Sequence, residues 1–446
     1  MAGGTWSAQN KTRPGVYIRF QTASATLLTA GDRGVVAICK ELSWGPVGEV
    51  NELTLTSDIK ALTGFDITAP ENRWLVEMFK GTSRTAGPSK VLLMRPAAAD
   101  SAQASATIGN LVATAACYGS RGNDITIIIT RIVEGEALFE VRTLVSGVVV
   151  DTQTGIAEVE ELVSNAWVEF SGSGPLEATT GTALTDGADG TVSPSAYAAF
   201  LDVIEARKFD VLCYDGDSAT VRTAYESFIK RIADENGHYA QLVEANAPMP
   251  DSRFIINVVS GVVLSDGTTL TPEETCWWVA GATAGAKYNE SLTYAVYPGA
   301  LTVEPVRTNT DIIDAINNGC FVLQADDGVV RIETDIDSLI TYSEDIGRVF
   351  RKNRVVRLCN QIANDIYKTF SDNYIGVVNN NEIGRSRFKG AIVSYLVGIQ
   401  ANQGIQNFSA DDVEVLPGED IDAVVVNLAI QPVDAIEKIY ITVEVA

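Results

Sequence analysis

Strands and helices alternate through the middle of the chain, and this alternation constrains the fold more than any other feature of the sequence. From residue 193 onward, short apolar runs rich in β-branched residues alternate with amphipathic stretches long enough to form helices. The pattern predicts helices at 195–208, 219–236 and 271–286 and strands at 209–214, 239–243 and 255–259. Strands that alternate with helices form a mostly parallel sheet covered on both faces, so we expect a doubly wound α/β domain.

The residues before this region divide into three parts. Residues 1–15 are rich in Gly, Ser and Thr and are expected to form an N-terminal arm. Residues 16–96 are expected to form a small α/β unit, because they contain three apolar strand patterns and two helical ones. Residues 97–186 contain short strands separated by Gly, Asn and Asp turns, which predicts an inserted β-sandwich or small barrel. The core α/β domain is then expected to span residues 187–335.

The C-terminal part is expected to be an α+β domain that ends in alternating runs. Residues 336–408 contain predicted helices at about 341–370 and 382–401. An acidic linker at 409–420 opens the last part, residues 409–446, and two runs of period-2 alternation follow it on either side of Pro432. The first run, 423–431, is predicted to join the subunit's own sheet and leave an edge open. The second run, 439–445, is predicted to be a strand that can be lent to another chain.

The charge of the chain is strongly negative and unevenly distributed. The net charge is −24, so we expect no nucleic acid partner, because proteins that bind nucleic acids are usually basic. Basic residues nevertheless concentrate between 348 and 389, and acidic residues predominate from 411 onward. This order indicates contact with acidic partners or with copies of the chain itself; a solvated helix face is the alternative interpretation. The basic residues at the start of this segment are Arg348, Arg351, Lys352, Arg354 and Arg357.

No group of residues completes a catalytic or metal site. His238 is the only histidine, and its position after Gly237 predicts a turn or surface residue, so we expect no enzyme of the Ser-His-Asp type, no metal and no cofactor. An α/β enzyme of the hydrolase type is the alternative function. Its site would lie near Asp215, Asp217 and Ser218, because loops that follow parallel strands are where α/β enzymes bind ligands.

The sequence also lacks the signals of membrane insertion and of disulfide formation. No apolar run approaches the ~20 residues that a membrane helix needs, and the first residues have no apolar stretch of the kind found in secretory signals. The six cysteines are scattered without a CxxC pair. We expect them to be reduced and to act as small apolar side chains.

Five stretches, taken together and in order, resemble the tail sheath proteins of contractile bacteriophages and phage-like particles. They include an opening strand, the entry to an inserted β domain, the glycine-rich entry to a so-called subtilisin-like domain, a packing helix of that domain, and a closing strand pair. The glycine-rich entry has Gly187-Ala188 where two glycines are usual. The stretches are RPGVYI (13–18), YGSRGNDITIII (118–129), TDGADGT (185–191), WWVAGATAGA (277–286) and IQPVDAIEKIYITVEV (430–445).

The resemblance implies a structural subunit and not an enzyme, because "subtilisin-like" is here a fold label. Subunits of this family stack as six-fold helical rings around a tail tube and contract to drive the tube through a target envelope. The partners implied are copies of the chain, the tail tube protein, and baseplate and tail terminator proteins. The implied location is the virion tail, or a phage-like particle, assembled in the cytoplasm of the host bacterium.

The resemblance also implies roles for particular residues. Strand exchange between subunits would use the arms at both ends, with residues 1–13 and the linker 409–420 as tethers. The C-terminal domain would lie against the tube, so the basic segment is our candidate for tube docking, and the β domain would lie outermost. The residues predicted to exchange are Val16, Tyr17, Ile18, Phe20, Ile439, Ile441, Val443 and Val445; those predicted to dock the tube are Arg348, Arg351, Lys352, Arg354 and Arg357.

Overall fold

Seven strands that lie far apart in the sequence form the central sheet of the protein. The computed structural model describes residues 2–4, 15–17, 33–134 and 137–444. All neighbouring strands of the central sheet are parallel, except that the edge strand Val50–Leu53 runs antiparallel to its neighbour. The order across the sheet is Cys320–Phe321, Ile255–Val258, Gln241–Ala245, Val211–Cys213, Val35–Cys39, Lys90–Met94 and Val50–Leu53. The chain is therefore a mixed α/β protein.

Two of the early strands correct the predicted domain boundaries. Val35–Cys39 pairs with Val211–Cys213 on one side and with Lys90–Met94 on the other. Residues 16–96 and 187–335 therefore do not form two separate sheets. The physical reason is visible in the strand Val35–Cys39: the side chains of Val36, Ala37 and Ile38 are all buried, so the strand needs cover on both faces and lies inside a sheet.

Helices cover both faces of the central sheet. Trp74 and Met78 of helix Arg73–Phe79 pack on one face together with helix Pro272–Gly285. These two helices approach closely because position 281 is glycine: a Cβ there would lie 1.9 Å from the carbonyl oxygen of Met78. Helices Pro194–Ile204 and Ala219–Asn236 pack on the opposite face. The remaining elements around this sheet are helices Ile59–Thr63 and Asn309–Asn317, and strands Ala98–Ala99, Thr191–Val192, Gly261–Leu264, Thr269–Leu270, Ala300–Glu304, Leu323–Asp326 and Val329–Ile332.

The inserted β-rich region folds as two antiparallel sheets that share one core. The core is made by inward-facing residues of both sheets, among them Ile127, Val141 and Val168. This is the arrangement of a β-sandwich. The four-stranded sheet has the order Val148–Ile156, Phe139–Val145, Ile125–Arg131 and Thr179–Ala183; the three-stranded sheet has the order Val168–Gly172, Leu111–Ala115 and Ser105–Ile108.

The chain divides into two units, which we call the larger and the smaller unit. The larger unit holds Gly31–Asn364 and Val433–Ala446, and the smaller unit holds Met1–Ala30 and Asp365–Pro432. The boundary between Asn364 and Asp365 falls within helix Asn353–Asn373. The smaller unit also contains helix Glu382–Ala401 and strands Ala2–Gly4, Gly15–Tyr17, Ile405–Gln406, Val413–Pro417, Val424–Leu428 and Gln431–Pro432.

Two predictions for the C-terminal part are wrong. The helix predicted at 341–370 begins only at Asn353, and a 3-10 turn, Arg348–Arg351, precedes it. The predicted acidic linker is not a tether, because Val413–Pro417 is a strand that pairs with Val424–Leu428. Val413 and Val415 alternate with Glu414 and pair with Leu428 and Val426, so this short alternation forms a hairpin despite its acidic surroundings.

Glu244 is an ionisable residue at a buried position of the central sheet. It lies fully buried on strand Gln241–Ala245. Burial, reinforced by the neighbouring carboxylate of Glu226, raises the pKa of Glu244 to about 9. The folded protein therefore holds Glu244 in its protonated form at neutral pH.

Glu244→Gln is expected to make the thermal stability of the protein less dependent on pH. The folded protein keeps the proton up to about pH 9, whereas an unfolded chain releases it near 4.5. The contribution of Glu244 to the free energy of unfolding is therefore fully present below the pKa that Glu244 has in the unfolded chain. It is lost as the pH rises towards the pKa that Glu244 has in the folded protein, by up to ~1.4 kcal/mol per pH unit. The unfolding midpoint, measured across this range, should fall less in the variant than in the wild type. Asp234→Asn, at an exposed position of helix Ala219–Asn236, is the control. Equal pH slopes in wild type and Glu244→Gln would contradict the prediction.

Candidate functional site

The last described residues of the chain form no helix or strand. We call residues 439–444 the C-terminal arm. Its apolar side chains are largely exposed: Ile439 by 75%, Ile441 by 79% and Val443 by 77%. No described residue pairs with the arm in a backbone ladder. The predicted terminal strand therefore has no partner within the described chain; Val445, the last residue of the prediction, lies outside the described residues.

The N-terminal candidates are described only in part. Val16 and Tyr17 lie in strand Gly15–Tyr17, which pairs in parallel with Ala2–Gly4 of the same chain. Ile18 and Phe20 lie outside the described residues. The prediction that these four residues cross to another subunit stays a prediction.

A small sheet of the smaller unit has open edges. Strands Val413–Pro417 and Val424–Leu428 pair with each other, and no third described strand joins them. The outer backbone groups of both strands are thus available to another strand, as at any sheet edge. The run 423–431 was predicted to lie in the subunit's own sheet and to leave an edge open, and the hairpin confirms this.

An aromatic cleft of about 650 Å³ lies near the start of strand Val424–Leu428. Phe370, Tyr374 and Phe388 line it, with ring centroids between 4.8 and 6.2 Å apart. Ile421, at its rim, is 95% exposed. The cleft and the open edges give this unit an apolar surface beside unpaired backbone.

The five basic residues predicted to dock the tube are not all exposed. Arg348 is exposed, Arg351 and Lys352 are partly buried, and Arg354 and Arg357 are buried. The guanidinium of Arg351 donates to the carbonyl oxygen of Ile316. The helix begins after these first residues, so the spacing of three does not place all five on one helix surface. The prediction of tube docking is therefore wrong for Arg354 and Arg357.

Arg357 is instead part of a buried polar network centred on Asp335. The guanidinium Nη2 of Arg357 lies 2.7 Å from Oδ2 of Asp335, and both side chains are almost completely buried. Asn353, the first residue of the helix, donates to Oδ1 of Asp335 at 2.9 Å, and Gln241 donates to Asn353 at 2.9 Å. The backbone N–H of Leu292 donates to Oδ2 of Asp335 at 3.0 Å. The network fixes the start of the helix to the central sheet.

A carboxylate just before the C-terminal arm contacts the basic segment. Oε1 of Glu437 accepts a hydrogen bond of 2.8 Å from the hydroxyl of Thr293. Oε2 of Glu437 forms an ion pair with the ammonium of Lys352. Thus one predicted docking residue, Lys352, holds an acidic residue of its own chain.

The alternative enzyme site lies at a place where α/β enzymes bind ligands, but an ion pair fills it. Strands Val35–Cys39 and Val211–Cys213 are neighbours in the central sheet. After the first strand the chain continues towards one edge of the sheet, and after the second strand it continues towards the other edge, so the gap between the two strands is a topological switch point. Lys40 and Asp215 follow these strands and pair at 2.6 Å, and Trp277 donates to Asp215 at 2.7 Å. The carboxylate of Asp215 is therefore engaged by two side chains.

The other members of the alternative site do not join Asp215. Asp217 is exposed, and the hydroxyl of Ser218 caps helix Ala219–Asn236 by accepting from the N–H of Val221. No nucleophile and base face each other at this place among the described residues. The geometry gives the enzyme hypothesis no support.

His238 is buried, so the prediction of a surface residue is wrong. Its Nε2 lies 2.8 Å from the carbonyl oxygen of Phe209. Burial lowers the pKa of the imidazole. The turn after Gly237 was predicted correctly, and it directs the ring into the core beneath Phe209.

The described residues lack two further kinds of functional feature. No group of three or more His, Cys, Asp or Glu side chains in the described part of the chain is placed to hold a metal ion. Of the helices that the structure describes, none combines the length and the hydrophobicity of a membrane span.

Sequence reasoning missed three residues that organise this region: Asp335, Thr293 and Glu437. A signal existed for the first. Acidic residues alternate at Glu333, Asp335 and Asp337 in an otherwise apolar stretch, shortly before the basic segment. Acidic residues that precede basic ones in this way can also form buried ion pairs with them inside one chain. No comparable signal marks Thr293.

Domain models of one protein family match three consecutive parts of the chain. They are the phage tail sheath protein beta-sandwich domain at residues 98–189, the phage tail sheath protein central domain at 190–338 and the phage tail sheath C-terminal domain at 345–446. The first match coincides with the observed β-sandwich. The last one includes both the basic segment and the C-terminal arm.

Individual proteins agree with these matches. The chain is 34% identical to the phage-like element PBSX protein XkdK of Bacillus subtilis (strain 168), over the full length of both. The crystal structure of the sheath tail protein of Desulfitobacterium hafniense is 37% identical and superposes with a TM-score of 0.86, covering 96% of this chain and 99% of that one. The helical sheath of the anti-feeding prophage in its contracted state shares the fold at 16% identity, with a TM-score of 0.58 over 97% of this chain and 99% of that one.

Proposed function

Because this chain belongs to the phage tail sheath protein family, we propose that its copies polymerise as six-fold helical rings around a tail tube and contract to drive the tube through a target envelope. The family is a structural one, and the chain is a structural subunit of a phage tail or phage-like particle. We further propose that it assembles in the cytoplasm of the host bacterium. The anti-feeding prophage sheath, which shares the fold and was solved as a helix in a contracted state, supports helical assembly and contraction.

The observation that carries the proposal is an unpaired strand segment together with unpaired strand edges in one chain. The C-terminal arm offers six described residues whose apolar side chains have no cover. The hairpin of Val413–Pro417 and Val424–Leu428 offers two free edges, each five residues long. A strand from one subunit can complete a sheet of the next through main-chain hydrogen bonds. A contact between two different surfaces that does not close on itself produces a helical polymer.

Strand exchange also suits a polymer that must change its shape without falling apart. A backbone ladder of about five residue pairs moves as one body with the subunit that accepts it. The donor subunit can then rotate about the residues that precede the arm. We extend the proposal to the N-terminal residues Val16, Tyr17, Ile18 and Phe20, and to Val445, as parts of the exchanged strands.

The arrangement within the particle follows from the same proposal. The β-sandwich would lie outermost, and the C-terminal residues would face the tube. The mostly parallel central sheet, covered by helices on both faces, supports the label of a doubly wound, subtilisin-like domain for the larger unit. Self-association and contact with the baseplate fit a sheath; tail tube and tail terminator proteins complete the proposed partners.

A contact with the tail tube is restricted to the exposed start of the basic segment. Arg348 is exposed, whereas the other four basic residues are buried or bonded within the chain. An exposed charge pair is weak and is screened by salt, which suits a contact that contraction must release. Arg348→Glu should weaken co-sedimentation of sheath with tube at low salt by roughly 1.4- to 5-fold, which corresponds to ~0.2–1 kcal/mol per exposed pair. Unchanged co-sedimentation would exclude Arg348 from the contact.

The proposed function is tested by electron microscopy of the chain co-expressed with its tail tube protein. Long striated cylinders around a tube are expected. The alternative function predicts a small discrete oligomer with turnover of a substrate. Such an oligomer, in the absence of any cylinder, would refute the proposal.

A further inference from the structure

We propose that Glu437, held by Lys352 and Thr293, is the anchor from which the C-terminal arm leaves the subunit, and that the basic segment thereby serves as a receptor for the chain's own acidic tail. We call these three residues the arm clasp. The inference rests on the proposed exchange of the arm, since only an exchanged arm needs a fixed point of departure.

The burial of the tail shows where the anchored part ends. Val433, Ala435 and Glu437 are partly buried, whereas Asp434, Ile436 and Lys438 between and after them are exposed. The side chain of Glu437 is only 14% exposed. From Lys438 to Glu444 every residue is exposed. The tail therefore lies against the larger unit in alternating register up to Glu437 and leaves it there.

The contact that holds Glu437 against the larger unit is polar and not apolar. Ile436 is 86% exposed, and Ile439 is 75% exposed, so the apolar side chains on either side of Glu437 in the sequence contribute little apolar burial. The two carboxylate oxygens of Glu437 are bound separately, one by the hydroxyl of Thr293 and the other by the ammonium of Lys352. An arm held by apolar contacts would lose the free apolar faces that a partner sheet needs. A polar clasp leaves those faces available.

The two residues that receive Glu437 stand on a rigid base. The hydroxyl of Thr293, which donates to Glu437, accepts the backbone N–H of Asp335 at 2.9 Å. Asp335 is fixed by its buried ion pair with Arg357. Lys352 directly precedes Asn353, whose side chain also binds Asp335. The clasp is thus tied to the buried network and not to a mobile surface loop.

Charge around the clasp favours the acidic tail. An open cleft of about 650 Å³ is lined by three basic residues and one acidic residue of the body of the unit (Arg348, Arg351, Lys352 and Glu333), and by Asp434, Glu437 and Lys438 of the tail. Burial lowers the pKa of the nearby Arg354, and the carboxylate of Asp434 opposes that effect. The arrangement explains why a basic segment and an acidic C-terminal stretch occur in one strongly acidic chain.

The clasp sets the length of chain that can move. With Glu437 held, the described arm extends about 20 Å at roughly 3.3 Å per residue. With Glu437 released, the mobile stretch begins near residue 433 and is almost twice as long. A longer tether lowers the effective concentration of the arm at a neighbour's sheet edge. The clasp is therefore a positioning device for strand exchange.

Cleavage by trypsin after Lys438 measures the opening of the clasp directly. The protease must bind residues on both sides of the cleaved bond in an extended form, so Glu437 has to leave Lys352 and Thr293 first. Release of the peptide 439–446 from the full chain is followed by mass spectrometry. We expect Lys352→Met, which leaves the cleaved sequence unchanged, to accelerate this release about tenfold, equivalent to ~1.4 kcal/mol. Added salt should accelerate cleavage of the wild type but not of Lys352→Met.

Arg387→Met is the matched control, because Arg387 is an exposed basic residue that does not line this cleft. It should be cleaved at the wild-type rate. Glu437→Gln provides a second variant, corrected for its changed cleavage sequence with synthetic peptides spanning 433–442, and should also be cleaved faster. If Lys352→Met and Glu437→Gln are both cleaved at the wild-type rate, the clasp is refuted.

The clasp and the proposed function fail in different ways. If a chain without residues 438–446 still forms sheaths, strand exchange by this arm is wrong, and the clasp loses its purpose whatever the cleavage rates are. If that deletion prevents assembly but Lys352→Met does not change cleavage, strand exchange stands and the clasp alone is wrong.

Discussion

A chain that lacks residues 438–446 is expected to fold and to form no sheath. The arm contributes almost nothing to the subunit's own stability, because its apolar side chains remain exposed and its backbone pairs with no described residue. In the polymer, by contrast, each lost arm removes a ladder of main-chain hydrogen bonds from a neighbouring sheet. The measurement is co-expression with the tail tube protein, with cylinders counted by electron microscopy. Circular dichroism of the purified chain reports its folding.

A single substitution tests whether assembly needs the backbone hydrogen bonds of the arm and not only its presence. Ile441→Pro keeps the length of the arm but removes one N–H donor and fixes φ near −65°, so it should prevent assembly almost as completely as the deletion. Ile441→Val, at the same position, preserves both the donor and the β-branched side chain and should assemble normally. Striated cylinders formed by the truncated chain at the wild-type yield would refute the role of the arm.

Arg357→Met is expected to lower the free energy of unfolding by about 3–5 kcal/mol, the usual cost of removing one partner of a buried ion pair. Methionine nearly fills the space of the arginine stem, so most of the loss comes from the carboxylate of Asp335, which is left buried without its cation. Urea denaturation of the purified chain, followed by circular dichroism, measures the loss.

Two further variants identify the cause of that loss. Arg348→Met removes an exposed charge of the same segment and should change the free energy of unfolding by no more than ~0.5 kcal/mol. Adding Asp335→Asn to Arg357→Met removes the uncompensated charge and should recover part of the stability. The interpretation fails if Arg357→Met is no more harmful than Arg348→Met.

Local signals allowed several elements to be predicted closely from the sequence. The helix predicted at 219–236 agrees with the observed Ala219–Asn236, because Ser218 caps its start and Gly237 ends it in a left-handed conformation. The helix predicted at 382–401 likewise begins after Asn381, whose side chain accepts from the N–H of Gly384. Helix ends of this kind depend on neighbouring residues only, which a single sequence contains.

Non-local pairing is what the sequence alone did not reveal. Nothing in the residues 35–39 indicates that their partners are 90–94 and 211–213. Similarly, the arginines after residue 347 appear solvent-facing by their spacing, and only the position of Asp335 in space explains why Arg357 is buried. The same limit applies to the candidate site: alternation located the arm, but its anchor depends on Thr293 and Lys352, which are distant in sequence.

The position of Val35–Cys39 inside the central sheet has a consequence for how each subunit folds during its synthesis. This strand is translated well before one of its two neighbours, Val211–Cys213, which is made only after the whole β-sandwich has been translated. At about 5–20 residues per second, the interval between residues 39 and 211 lasts roughly 10–35 s. During that time one hydrogen-bonding edge of the strand lacks its native partner. The order of synthesis therefore leaves this edge open to wrong pairing until Val211–Cys213 is made.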